Sequence, residues 1–204
     1  MKPILFNTEM VRAILDGRKT VTRRIIKLKY SNTHIEWHKD KYGKKLVEKQ
    51  NNVEGETYGV KPDGTHWQKL LTMREITSPY KVGDILYVRE TWSVDNHNWL
   101  YRADFSDTDL EKLKNIMRWG PSIHMPKKIA RIFLRVVDVR VERVQDIDDD
   151  GVVAEGLEIG APFDELWNST INKSDLDKYG WNANPWVWVI EFEKISREEA
   201  VNNV

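Results

Sequence analysis

The 204 residues contain no cysteine. Disulfide staples and thiolate metal sites are therefore excluded, and a reducing, cytoplasmic setting is expected. No stretch approaches the ~18 apolar residues of a membrane helix, so no membrane association is expected. No charged-then-apolar leader opens the chain, since Met1-Lys2-Pro3 runs straight into Ile4-Leu5-Phe6. There is no internal repeat and no low-complexity tract. A chain of this length can bury roughly 70% of its unfolded surface, enough for a core without covalent help. We expect one domain over 1–204 with a large insertion at 28–80. Nothing in the sequence sets an oligomeric state.

Net charge is also missing, but only on average. Residues 1–30 carry eight Lys/Arg against two Asp/Glu, and residues 123–143 carry six against two. Residues 146–178 invert this, with two against ten. A basic face and an acidic face are expected. The nine tryptophans supply a core and, in part, flat surfaces on which bases could stack.

Hydrophobic period and turn residues divide the chain. Ile4-Leu5-Phe6 predicts a short strand. Thr8 suits a helix N-cap, Met10, Val11 and Ile14 make a helical stripe, and Gly17 suits a left-handed stop. Thr20 to Ile26 predicts a strand. Residues 28–80 are polar and weakly periodic, with short hairpins suggested by His34-Ile35-Glu36-Trp37 and Lys45-Leu46-Val47-Glu48 and a partly mobile character expected. Gly83-Asp84 predicts a turn into strand Ile85 to Val88, and Trp99 to Ala103 a further strand. A short helix is expected over Asp107 to Met117, and a long alternating strand, bent midway, over Arg131 to Val144. Asp146 or Asp148 opens an acidic helix ending near Gly156, and 161–179 is a second helical piece. Trp186 to Glu193 closes as a strand. The order implies an α+β fold, a small mixed, barrel-like sheet with short helices at its mouth.

The octet Gly17-Arg18-Lys19-Thr20-Val21-Thr22-Arg23-Arg24 concentrates the chemistry. Strand alternation puts Thr20, Thr22 and Arg24 on one face and Val21 and Arg23 on the other, with Lys19 at the turn. Glu90 and Trp92 also share a face, a pairing suited to a flat heterocycle with an exocyclic amine. Tyr101, Arg102 and His124 are further ligand-binding candidates. Arg18, Arg23, Lys127, Lys128 and Arg131 are candidates for phosphates. His34, His38 and His66 lie in the insertion near Glu36, but without helix register or a closing ligand, and Asp148-Asp149-Asp150 suits a helix N-terminus. No metal and no cofactor is expected.

The octet resembles the signature hairpin of the ASCH domain, within the PUA-like superfamily. Val82-Gly83-Asp84 with strand Ile85 to Val88, then Glu90 and Trp92, resembles the family's next strand. Ala154-Glu155-Gly156-Leu157 resembles its acidic helix, and Trp186 to Phe192 its closing strand. Ser122-Ile123-His124-Met125-Pro126 with Arg131 resembles a phage and prophage branch. The likeness spans most of 1–26 and 82–193. It implies a PUA-like β-barrel with a cleft for RNA, a nucleotide or a modified nucleoside. The family's acetylcytidine amidohydrolases use a Lys-Thr-Glu set, which falls here on Lys19, Thr22 and Glu155, with Arg24 on the arginine that follows. The insertion at 28–80 and the region from Trp99 to Met125 depart from that compact enzyme.

On that resemblance Thr22 would be the nucleophile, Lys19 the base, Glu155 the proton carrier and Arg24 the charge stabiliser. A neutral lysine requires its pKa to fall roughly 3 units from about 10.4. Desolvation and the charges of Arg18 or Arg24 push that way, and Glu155 opposes it. Two alternatives stay open: a non-catalytic RNA- or DNA-binding module, and a ribonuclease using the same cleft.

Overall fold

The computed structural model describes residues 1–30, 33–50, 58–60, 66–68 and 74–202. In chain order the regular elements begin with strand β1 (Lys2–Leu5), helix α1 (Thr8–Leu15) and β2 (Val21–Ile25). Next come β3 (Thr33–Asp40), β4 (Gly43–Gln50), β5 (Tyr58–Val60), β6 (His66–Gln68) and β7 (Arg74–Glu75). They are followed by β8 (Ile85–Arg89), β9 (Trp92–Asp95), β10 (Asn98–Tyr101) and α2 (Asp107–Leu113). The chain then runs through β11 (Phe133–Arg143), α3 (Asp149–Ala154), α4 (Phe163–Ser169), α5 (Leu176–Tyr179), β12 (Trp186–Ile195) and α6 (Arg197–Asn202). The class is mixed α+β with a sheet-rich core. No helix among the described residues is long and apolar enough to cross a membrane.

Contacts divide the chain into two compact units, Met1–Ile25 with Tyr80–Val204, and Ile26–Pro79. The second unit overlaps the segment 28–80. It is built on the β3–β4 hairpin, which pairs from Thr33 with Gln50 to Asp40 with Gly43, and on β7 beside β4. β5 and β6 pair separately.

The first unit is organised by a five-stranded sheet in the order β1-β8-β11-β12-β2. β1 runs parallel to β8, and the other pairs are antiparallel. β12 is an interior strand, apolar on both faces because both faces are covered. Ile190 and Phe192 join Ile4, Phe6, Val11, Ile14, Val88 and Leu134 on one side. Val187 and Val189 join Val21, Val152, Phe163 and Trp167 on the other. The expected bend in β11 is a register shift between Val136 and Asp138.

Backbone pairing leaves this sheet open, with β1 and β2 as its edges. A side chain bridges the two edges: Arg24 Nη2 donates to the Leu5 carbonyl at 2.7 Å.

Several expected boundaries move. The cap of α1 is Asn7, in extended backbone, whose side chain accepts from Met10 N at 2.8 Å, and Thr8 is already helical. Both residue types cap well, so local chemistry alone could not choose between them. α2 stops at Leu113, four residues short of Met117, and β10 gives way to a 3₁₀ turn at Arg102. β9 and α6 carry too little periodicity to stand out in the sequence. Asp148 is the cap of α3, accepting from Gly151 N at 2.8 Å.

Candidate functional site

The site begins where α1 ends. Gly17, at φ 78°, reverses the chain, and Lys19 N donates to Ala13 O at 3.0 Å, tying the octet to the helix. Lys19 then forms an isolated antiparallel bridge with Glu155, the residue that caps the C-terminus of α3. Two residues 136 apart in sequence thus meet through backbone before their side chains are considered.

The side chains meet as well. Lys19 Nζ donates to Glu155 Oε2, to the Glu155 carbonyl at 3.0 Å and to the Val21 carbonyl at 2.8 Å. Glu155 Oε1 accepts from Arg23 N at 2.8 Å and from Arg23 Nη1 at 3.4 Å. The carboxylate is therefore shared, with one oxygen on the lysine and the other on Arg23. The Lys19 side chain is 0% exposed and that of Glu155 4%. Burial pushes the Lys19 ammonium below its usual range; Glu155 pulls the other way, and the Arg24 and Arg23 charges add to the fall. Burial lowers Arg24 from its ordinary value too.

Alternation along β2 sorts the remaining residues. Thr22 and Arg24 face the Phe6 side. The Arg24 guanidinium lies 5.3 Å from the Phe6 ring centre and Lys19 Nζ 5.7 Å, so one aromatic ring serves two cations. Thr22 is buried opposite Ile190, and its hydroxyl makes no hydrogen bond among the described residues. Arg23 turns to the opposite face, over Phe163 and 3.4 Å from Glu142. That face holds a cavity of about 310 Å³, where Arg23 and Arg140 meet Glu142, Asp148, Asp150 and Glu191. Arg23 Nε is buried there with no hydrogen-bond partner among the described residues. Arg23 is thus buried beside Glu155 and borders this cavity.

Glu90, Trp92, Tyr101 and Arg131 form a second cluster. Arg131 donates Nε to Glu90 Oε1 at 2.9 Å and Nη2 to Glu90 Oε2 at 3.0 Å, and it also reaches Asp104 at 2.8 Å. Its guanidinium lies 4.0 Å from the Tyr101 ring centre. Burial lifts the Glu90 carboxyl against the pull of Arg131. Burial works against the Arg131 charge as well, yet bonds from Glu90 and Asp104 hold it above its ordinary value. One N–H on each oxygen is the geometry of an ionised pair, and we assign the pair that way. Both Glu90 oxygens are thereby occupied within the protein. The Trp92 ring packs against Gly120 and Trp99. Trp92 also borders a cavity of about 550 Å³ with Leu113, Met117 and Trp119.

The remaining candidates are dispersed. Arg18 is exposed and bonded to Gly156 O and Asp16. Arg102 borders a separate cavity of about 450 Å³ with Asp107 and Trp119. His124 is exposed in a 3₁₀ turn, and Lys127 and Lys128 are exposed over the rings of Tyr87 and Trp99. In the second unit His34 bonds Glu36 at 3.1 Å. The His66 side chain lies outside the described residues. Among the described residues no group of three or more His, Asp or Glu could hold a metal ion.

Lys19 and Glu155 come together, with Thr22 and Arg24 on the adjoining face; Glu90, Trp92, Tyr101 and Arg131 form a separate group. The sequence reading missed Phe6, hidden in an ordinary apolar run, and the part played by Arg23. A basic residue alternating with Val21 on an apolar face was the one available signal for a buried partner. No protein-family model matches the chain, and no curated protein or solved structure matches it.

Proposed function

We propose that this chain is an ASCH-type, PUA-like protein that binds a nucleobase-containing ligand, RNA or a modified nucleoside, beside Lys19, Thr22 and Arg24. Removal of an acyl group from the exocyclic amine of a modified cytidine is the reaction we assign to it. The observation that supports this reading is the dry pairing of Lys19 with Glu155, next to a threonine hydroxyl that makes no hydrogen bond among the described residues.

In this scheme neutral Lys19 accepts the Thr22 hydroxyl proton as the oxygen attacks the amide carbonyl. Arg24 offsets charge on the carbonyl oxygen. The proton passes through Glu155 to the exocyclic nitrogen as the C–N bond breaks, releasing the free amine. Water then hydrolyses the acyl-threonine and releases the carboxylate. Burial favours the neutral lysine that the first step needs.

A non-catalytic reading is favoured by one specific observation. All three Lys19 N–H donors already have acceptors, which suits an ammonium strut holding the octet to α3. Incubation of the purified protein with N-acylated cytidines separates the two. The enzyme reading expects release of the free base, with a loss of about 100-fold or more in Thr22→Ala and in Lys19→Met. Binding of the nucleoside without turnover in the native protein, or turnover undiminished in Thr22→Ala, would leave the strut.

A further inference from the structure

The tip of the β3–β4 hairpin carries features that neither the fold of its unit nor the octet accounts for. Residues 37–45 read Trp-His-Lys-Asp-Lys-Tyr-Gly-Lys-Lys, four lysines against one aspartate in a chain whose net charge is zero. Lys45 is spoken for, lying 3.5 Å from both Asp40 and Glu75. Lys39, Lys41 and Lys44 make no ion pair among the described residues and are exposed. Lys39 stands directly opposite Lys44 in the ladder. Like charges facing each other across two strands destabilise the pairing. An unrelieved repulsion at an exposed tip points to a use for it.

The aromatic residues of the tip are the second observation. Tyr42 is 76% exposed and Trp37 41%. Lys41 Nζ lies 4.8 Å from the Tyr42 ring centre, and Lys44 Nζ lies 4.7 Å from that of Trp37. Each open ring is thus paired with one unneutralised ammonium. This is the unit that single-stranded nucleic acid requires, a flat surface for a base and a cation for the adjoining phosphate. The tip has no aliphatic residue between Trp37 and Lys45, so it lacks the wedge that an anionic membrane surface would take up.

We infer that the β3–β4 tip is a contact surface for single-stranded nucleic acid, with Trp37 and Tyr42 stacking on bases and Lys39, Lys41 and Lys44 on phosphates. The inference rests on the reading of this chain as a nucleic-acid- or nucleoside-binding protein and adds a surface distinct in sequence from the octet.

The test uses the full chain and a labelled, unmodified dT12 or U12 strand, followed by anisotropy from 50 to 200 mM salt. Three phosphate contacts contribute about −2 to the slope of log affinity against log salt on a single strand. The triple variant Lys39→Gln/Lys41→Gln/Lys44→Gln should flatten the slope by about 2. The triple Lys→Arg variant should restore it. Trp37→Ala with Tyr42→Ala should weaken binding about tenfold or more with the slope retained. These side chains are exposed, and an unchanged circular dichroism spectrum establishes the fold of each variant. Oligonucleotide binding that is equal in the native and Lys→Gln proteins would overturn the inference. So would binding to phosphatidylserine vesicles with none to either strand. Lys19→Met tested on the same strand separates the two proposals. Strand binding through the hairpin with acylated cytidine untouched sinks the reaction alone, and turnover without strand binding sinks the hairpin alone.

Discussion

At the scale of the residue, Gly156 is the position on which the Lys19–Glu155 contact most depends. It sits at φ +92°, and a Cβ there would lie 2.8 Å from Ala13 Cβ and 3.0 Å from Lys19 Cβ. Conformation and space therefore act together. We expect Gly156→Ala to cost roughly 2–4 kcal/mol, the left-handed penalty plus overpacking. Gly160 is the internal control. It has φ +78° but nothing within 4 Å of an added Cβ. Gly160→Ala should cost only about 1–2 kcal/mol. Urea titration of both variants checks this, and equal midpoints would show that crowding at Lys19 contributes nothing. Residues of this kind were only partly legible. Lys19 stands out within the basic octet, and Glu155 is pointed to only by the family resemblance. The contact of Gly156 with Ala13 could not be read, because it depends on how α3 lies against α1.

At the scale of the element, a buried carboxylate ties the strands of the second unit to the segment before them. Glu48 in β4 accepts from Lys29 N at 2.9 Å, Tyr30 N at 2.8 Å and Thr33 Oγ1 at 2.7 Å. Arg74 in β7 adds Nε at 3.1 Å and Nη2 at 2.9 Å. Burial alone would raise this carboxyl, but the bonds from Tyr30, Thr33, Arg74 and Lys29 bring it below its ordinary value. A folded pKa below the unfolded one gives stability that is complete above about pH 4.5 and lost as pH falls through the folded value. Amide exchange in β3 and β4 should therefore accelerate on acidification from pH 6 to 3. Glu48→Gln should be roughly 3 kcal/mol less stable at pH 7 and lose most of the acid dependence. An unchanged acid response in Glu48→Gln would assign it to other carboxylates. Elements were more legible than their ties. The two strands of this hairpin show only as short fragments of a weakly periodic segment, whereas β11 and β12 stand out by length. Glu48 reads as a polar position in a polar segment, since nothing local says that five donors converge on it.

At the scale of the whole molecule, the same linkage reaches the proposed chemistry. The five-stranded sheet buries both faces of β12, and β2 beside it inherits that burial on both of its own. Period-two reading assigns one side of such a strand to solvent, whereas Thr22 and Arg23, on opposite faces of β2, are both buried. The consequence for Lys19 is electrostatic. Its folded pKa is depressed, chiefly by burial. The unfolded chain then binds a proton that the folded protein gives up, so stability should rise with pH toward about 10.5. The slope is at most about 1.4 kcal/mol per pH unit for one proton. Tyr80 and Tyr101, both raised by burial, act in the opposite sense only as their own range near pH 10 is approached. Arg24, also lowered by burial, acts in the same sense as Lys19, and comparing the native protein with Lys19→Met over the window from pH 7 to 9 separates the two. We expect the urea midpoint to climb across that window in the native protein and to stay level in Lys19→Met. A level profile in the native protein would mean that the three acceptors around Nζ hold the ammonium. Lys19 would then have no lone pair with which to deprotonate Thr22, and the cluster would serve as a strut for the fold.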